Sequence, residues 1–270
     1  MKLRHFLLTA FFCLFVLFLY GPTLTIILLS FQGPDGGLTF PMNGVSGHWF
    51  GSLFEAQRVG DLGSAFRRSL ALAAMVMIAT VLVALPAGLA FRRRFVGSGA
   101  LLTLTIASLI VPSILVSLGV GILFGALGID PDWWSSGLGA QLTWTLPFGV
   151  LVMFAIFNRF DPSWEEAGRD LGATKWQIFS NIVLPIILPG VIGIALFGFT
   201  LSYDEFARTL LTAGSSNTLP LEIFGMTTNI TTPVLYALGT VTTAVSFAAI
   251  GGALVTIAAL SRRNAKLLAA

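Results

Sequence analysis

Uncharged, apolar stretches divide this chain at intervals. No charged side chain occurs from Phe6 to Leu29, Ser69 to Phe91, Phe95 to Ile129, Trp133 to Asn158, Trp176 to Tyr203, or Ile223 to Ser261. A helix crosses hydrocarbon with about 20 such residues, so each stretch holds a span. The runs are continuous rather than alternating, which argues against barrel strands. The third and sixth stretches have room for two spans. The Gly-Pro-Asp punctuation around Gly128 and the polar run Thr227–Thr232 limit each to one. The pattern thus predicts six transmembrane helices near 6–29, 69–91, 101–125, 137–158, 186–204 and 236–260. They form an all-α, polytopic membrane protein with one transmembrane domain over residues 1–270. Pro112 is expected to kink the third span.

Composition agrees. Of 270 residues, 56% are hydrophobic and 10% charged, against about 25% charged in a soluble domain. Cys13 is the single cysteine, which excludes an internal disulfide and a cysteine-rich zinc site. Lys2, Arg4 and His5 give the first segment the basic start of a signal peptide. Its apolar run exceeds a signal core of about 7–15 residues and no small-x-small site follows, so it reads as a retained helix.

The charges orient the spans. With a cytoplasmic N-terminus, that face carries Lys2, Arg4, Arg92, Arg93, Arg94, Arg159, Arg169, Lys175, Arg262, Arg263 and Lys266. The other face keeps Arg58, Arg67, Arg68 and Arg208, and eight of the twelve acids. The positive-inside rule then sets both termini in the cytoplasm. The basic excess reports topology, and no nucleic-acid surface is implied. Arg92-Arg93-Arg94 reads as an anchor on anionic lipid headgroups.

Candidate chemistry is sparse. The lysines Lys2, Lys175 and Lys266 do not follow a glycine, so there is no P-loop for ATP. His5 and His48 lie outside the spans, and His48 suits an interfacial or capping role better than metal ligation. No zinc-protease or nucleophile-elbow motif appears. No ionisable residue sits mid-span, which disfavours a proton relay or a self-sufficient secondary carrier. An enzyme is not expected, nor a metal site or a cofactor held by this chain.

The loop 159–185 is the exception. Asp161-Pro162 turns the chain. Ser163 and Glu166 have capping-box spacing, and Glu165 and Glu166 suit the positive end of a helix dipole. Gly172 reads as a left-handed C-cap. Thr174 and Gln177 form a second capping box, opening a helix that runs to Leu184-Pro185, where the missing N–H interrupts the ladder. The small Ala167 and Gly168 permit close approach of another backbone. Two readings fit: a docking element that passes movement into the fifth span, or an amphipathic loop lying on the lipid surface.

The same residues resemble a known family. Permeases of binding-protein-dependent ABC importers carry Glu-Ala-Ala, three residues, Gly, nine residues, then Ile-x-Leu-Pro. Here Glu166-Ala167-Gly168, Gly172, Ile182, Leu184 and Pro185 match that spacing. Gly168 departs from the pattern, replacing alanine at a helix-propensity cost of roughly 1 kcal/mol. Tyr20-Gly-Pro22, Gly47-His-Trp-Phe50, Phe199 to Phe206 and Thr218 to Phe224 extend the likeness to the second permease of spermidine/putrescine-type importers.

The resemblance implies an ABC type I importer permease fold in a bacterial inner membrane. Its partners would be two ATPase subunits that use ATP and Mg, a homologous second permease and an extracytoplasmic solute-binding protein. Glu165, Glu166, Ala167, Gly168, Gly172, Ile182, Leu184 and Pro185 would couple to the ATPase. The solute would be a polyamine, with opines, iron(III), sulfate and amino-acid derivatives as alternatives within the class.

Three residues near the outer end of span five are pathway candidates. Asp204 and Glu205 have the charge to receive a cation, and Tyr203 offers cation–π contact. Alternatively Asp204 and Glu205 are a solvated helix end paired with Arg208. Asp130 and Asp132 beside Trp133-Trp134 suit either an acidic vestibule or an aromatic interfacial belt. Ala84-x-x-x-Gly88 and Gly121-x-x-x-Gly125 permit close helix packing.

Overall fold

The computed structural model describes residues 2–53, 61–93, 95–229 and 233–269; side chains at 2, 3, 229 and 260–269 fall outside that description. Arg58, Arg94, Thr231 and Thr232, and the side chains of Lys2, Arg262, Arg263 and Lys266, therefore lie outside the described residues. The helices are α1 (Lys2–Leu29), α2 (His48–Ser52), α3 (Leu62–Phe91), α4 (Ser98–Ser108), α5 (Ser113–Ala126), α6 (Leu138–Asn158), α7 (Ser163–Asp170), α8 (Lys175–Ile178), α9 (Leu184–Tyr203), α10 (Leu219–Asn229) and α11 (Val234–Ala269). π-helical turns at Trp133–Gly137 and Phe179–Val183 lead into α6 and α9.

Among the described residues, five helices are long and apolar enough to cross a membrane, six if α4 and α5 count as one span. That third segment departs from expectation. The stretch 101–125 is not one kinked helix but two, bent by 104°. Pro112 supplies the cause. It has no N–H to donate and pushes Val111 away from helical backbone. Its own extended conformation (φ −57°, ψ 131°) starts α5.

The chain divides into two compact units, residues 1–63 with 222–247, and 64–221 with 248–270. In the first, α1 is apolar around its whole circumference and leaves Phe6, Phe11, Phe12 and Phe18 exposed, as suits a helix solvated by lipid. Buried Gln32 organises the loop that follows: its amide donates to the Gly37 carbonyl and accepts from the Asn43 N–H. The Tyr236 hydroxyl ties the start of α11 to the Leu38 carbonyl at 2.6 Å.

In the second unit, α3, α6 and α9 converge on Gly149. A Cβ there would stand 2.9 Å from Thr80, 3.0 Å from Ala84 and 3.2 Å from Ile194. Small residues substitute close van der Waals contact for the hydrophobic drive that lipid does not provide. Gly88 lies similarly tight against Met153 and Phe157, whereas only Gly121 of the Gly121/Gly125 pair meets a neighbour, the Leu211 carbonyl. The Thr80 hydroxyl bonds that of Thr145 at 3.0 Å, satisfying both inside the apolar interior. The core continues through Val150, Met153, Phe157 and Phe160 to Ile178, Val183 and Ile187.

Candidate functional site: the α7 surface and the 203–208 segment

The start of α7 is capped differently from its sequence reading. Ser163 lies inside the helix and makes no side-chain cap. Asp161 does that work: its carboxylate accepts the Ser163 N–H at 2.9 Å, which holds it below the usual carboxylate range. Pro162, already helical, takes the first-turn position where no donor is missed. Gly172 ends the helix at φ 78°. The Ala173 N–H bonds the Gly168 carbonyl and the Gly172 N–H bonds that of Arg169, the paired closure of a Schellman turn. Thr174 and Gln177 form their capping box as expected.

Pro185 does not end the next helix. Residues Lys175–Tyr203 run on as one membrane-length helix, because the Leu184 N–H bonds Phe179 five residues back. That widened turn falls immediately ahead of the proline ring, which would otherwise press on a carbonyl four residues earlier. α7 is therefore joined by one short turn to a rigid rod.

The exposed surface of α7 and its exit includes Trp164, Glu166, Ala167, Arg169, Asp170, Leu171 (89% exposed) and Trp176. Large apolar groups beside a carboxylate on an eight-residue helix are a surface suited to a protein partner. Gly168 faces inward instead. A Cβ there would come within 2.8 Å of Ile182 and 3.2 Å of Ile178, so its smallness seats α7 on the helix that follows. Ile182, Leu184 and Pro185 are half-buried: Ile182 forms part of that seat, and Leu184 packs against the core beyond it. Glu165 is likewise turned inward, bonding Arg92 at 2.5 Å and Arg169 at 3.3 Å. This corrects the lipid-anchor reading for Arg92, which points into the protein; Arg93 beside it is exposed.

At the far end of α9 the three pathway candidates separate. Tyr203 is 1% exposed, its ring against Phe66 and Phe199. Glu205 accepts the Arg208 N–H at 3.0 Å and faces its guanidinium at 3.9 Å, so the pairing alternative describes it. Asp204 ends α9 and is exposed; partial burial nonetheless pushes its carboxyl above the usual range. Asp132 is a local cap, accepting the Trp133 N–H at 2.7 Å.

Two residues matter more than the sequence shows: it offers Arg208 only as a partner for Asp204 and Glu205, and it does not single out Gln141. Arg208 is buried, donating to Ser113 at 2.6 Å and Thr143 at 3.3 Å, with its guanidinium 4.6 Å from the centre of the Trp144 ring. Burial lowers its pKa, and Glu205 opposes the shift. Gln141 is wholly buried with both amide atoms unpartnered, as are the Trp144 indole N–H and the Ser202 and Tyr203 hydroxyls. Only the arginine's charge was a signal; Gln141 sits in an uncharged run that reads as plain span. Among the described residues no cluster of acids, histidines and cysteines could hold a metal ion.

A bundle of membrane-length helices carrying a capped helix–turn–helix before one of them is the fold of an importer permease. A bacterial alginate ABC transporter, solved in complex with a periplasmic protein bound to alginate pentasaccharide, superposes with a TM-score of 0.66 at 15% identity, covering 97% of this chain and 94% of that one. The MetNI methionine ABC transporter gives 0.59 at 16%, covering 74% and 95%.

Residues 80–263 match the family of binding-protein-dependent transport system inner membrane components, and the chain belongs to that family. It is 32% identical over 247 residues to the spermidine/putrescine transport system permease protein PotC of Haemophilus influenzae, covering 91% of this chain and 94% of that protein. It is 31% identical over 232 residues to the putrescine transport system permease protein PotI of Escherichia coli K12, covering 83% and 80%. The chain is a multi-pass inner-membrane permease subunit of an ABC importer.

Proposed function

We propose that this permease forms half of an import pathway for a polyamine. The observation that carries the reading is the likeness to PotC over 91% of the chain, since both of the relatives described are named for spermidine or putrescine. Exposed Asp204 adds a carboxylate of the right sign at the end of α9. Glu205 and Tyr203 are engaged within the chain, so Asp204 is the member of the trio that meets a cation first.

α7 is the docking element for a separate ATPase chain. Glu166, Ala167, Trp164 and Leu171 make the contact, while Gly168, Gly172, Ile182, Leu184 and Pro185 hold the element rigid. Two such ATPase subunits bind and hydrolyse ATP with Mg, a homologous second permease completes the pathway, and an extracytoplasmic binding protein delivers the solute. Both termini and α7 lie on the cytoplasmic side, as the basic residues require. Closure of the ATPases on ATP displaces α7, and the continuous rod from Lys175 to Tyr203 carries that displacement across the membrane.

Uptake of labelled spermidine and putrescine by vesicles holding the assembled importer tests the solute. Saturable, ATP-dependent uptake is expected. Uptake of an opine, iron(III), sulfate or an amino-acid derivative in its place refutes the polyamine reading. ATP-independent uptake by this chain alone refutes the importer assembly. Glu166→Gln, which keeps the size and removes the charge, is expected to reduce ATPase stimulation.

A further inference from the structure

Arg92 stands one residue beyond α3, 73 positions before its partner Glu165 on α7. Its guanidinium lies 5.2 Å from the centre of the Phe157 ring and 4.9 Å from that of Phe160. Both distances are within the range of cation–π attraction. Phe157 is in the last turn of α6 and Phe160 just follows it, and both are buried. Nη1 reaches Glu165 Oε1, and Arg169 Nη2 takes Oε2 at 3.3 Å. One side chain, 20% exposed, thus touches three elements: the end of α3 that bears it, the end of α6, and α7.

These contacts alter the route out of α7. Its other attachment is to the helix that follows, through the Schellman turn and the seat of Gly168 on Ile178 and Ile182. That route leads into α9 and reaches α6 and α3 only through apolar packing, where Ile178 and Val183 share a core with Phe157, Phe160 and Ala84. The Arg92 contacts reach α3 and α6, the helices that meet α9 at Gly149.

We propose that Arg92 is a positioning residue for transport: it ties α7 by a charged contact to the ends of α3 and α6, so that a push on α7 acts on those helices directly as well as through the packing around α9. This rests on the reading of α7 as the ATPase-docking element. Arg92 does not itself contact the ATPase, because its head is taken up by Glu165 and the two rings. A guanidinium is required, since a planar cation both stacks on aromatic faces and donates to a carboxylate, which an ammonium does less well.

The test uses the whole importer, with ATPases, both permeases and binding protein, in vesicles, with Arg92→Gln, Arg92→Lys, Glu165→Gln, Arg92→Gln/Glu165→Gln and Arg93→Gln. ATPase retention on purification, ATP hydrolysis and polyamine uptake are measured together. Arg92→Gln is expected to retain the ATPases and hydrolyse ATP, while solute moved per ATP falls about tenfold. Arg92→Lys recovers part of that ratio. Glu165→Gln lowers it comparably, and the double variant is no worse than the more impaired single one, as for groups acting through one contact. Arg93→Gln behaves as wild type.

An unchanged ratio in Arg92→Gln overturns the proposal, as do additive losses in the double variant or an equal loss in Arg93→Gln. Loss of the ATPases from Arg92→Gln overturns it in favour of a docking role. Trp164→Cys, cross-linked toward the ATPase in the otherwise unaltered importer, checks the underlying reading separately. Without a cross-link, the docking assignment of α7 fails and the Arg92 proposal falls with it, whatever the ratios are.

Discussion

Arg92 and Arg208 pack near opposite ends of α6, and they do so differently. Each stacks on aromatic rings at the end of α6 nearest to it and faces a glutamate. The side chain of Arg208 is 3% exposed and its nearest partners are hydroxyls, with Glu205 at 3.9 Å. That of Arg92 is 20% exposed and its nearest partner is a carboxylate at 2.5 Å. A deeply desolvated cation needs every donor satisfied and becomes part of the packing. A cation at the rim keeps some water and contributes less to stability. The buried arginine therefore belongs to the architecture, and the rim arginine to an attachment that must bear movement.

The largest effect breaks the buried end. Arg208→Met leaves Glu205 without its counter-charge and the hydroxyls of Ser113 and Thr143 without their donor, at a cost of about 3 kcal/mol. Denaturation of the purified subunit in mixed micelles reads it. Next comes a lesion midway between the two ends. Gly149→Val forces side-chain atoms against Thr80, Ala84 and Ile194, costing about 2 kcal/mol by overpacking. Because all three helices meet there, solute moved per ATP is expected to fall even though neither arginine is touched.

At the rim the effects are smaller. Arg92→Gln costs about 1 kcal/mol of stability, so unfolding midpoints barely separate it from wild type while transport does. Gly172→Ala strains a left-handed residue by about 1 kcal/mol. Proteolysis of the α7–α8 turn is expected to quicken in that variant, with the melting of the bundle nearly unchanged.

The smallest effect is a pH slope. Asp204 has a raised carboxyl pKa, so the folded state holds its proton to higher pH than the unfolded chain. Its contribution is then full at acid pH and declines as pH climbs from the ordinary carboxylate range through the raised value. Asp204→Asn removes that slope and is slightly more stable than wild type at neutral pH. Melting curves between pH 4 and 8 decide it: parallel curves for the two proteins reject the assignment.

The apolar runs anticipated the membrane helices because a span announces itself through some twenty consecutive residues, with no help from the rest of the chain. Gly172 and the Thr174–Gln177 box were legible for a related reason, since each is satisfied within five residues. Ser163 misled because Asp161-Pro162 immediately ahead offers a stronger cap, and both spellings fit a helix start. Pro112 and Pro185 show the limit of a local rule. The same missing N–H separates α4 from α5 at one site and is absorbed by a π-helical turn at the other, and what surrounds each proline chooses between them.

What the sequence determined by itself is the solvent and the outline: a lipid-embedded helical chain with one structured loop whose spacing marks its family. Hydrophobic periodicity and capping are short-range, so they survive without a fold. Tertiary structure decided which face of α7 is left for a partner, that Gly168 and Glu165 look inward, and that Arg92 and Arg208 are clamps rather than surface charges. The assignments of Glu165 and the two arginines depend on groups 65 to 95 residues apart meeting at hydrogen-bond distance, and no spacing rule reaches across that separation.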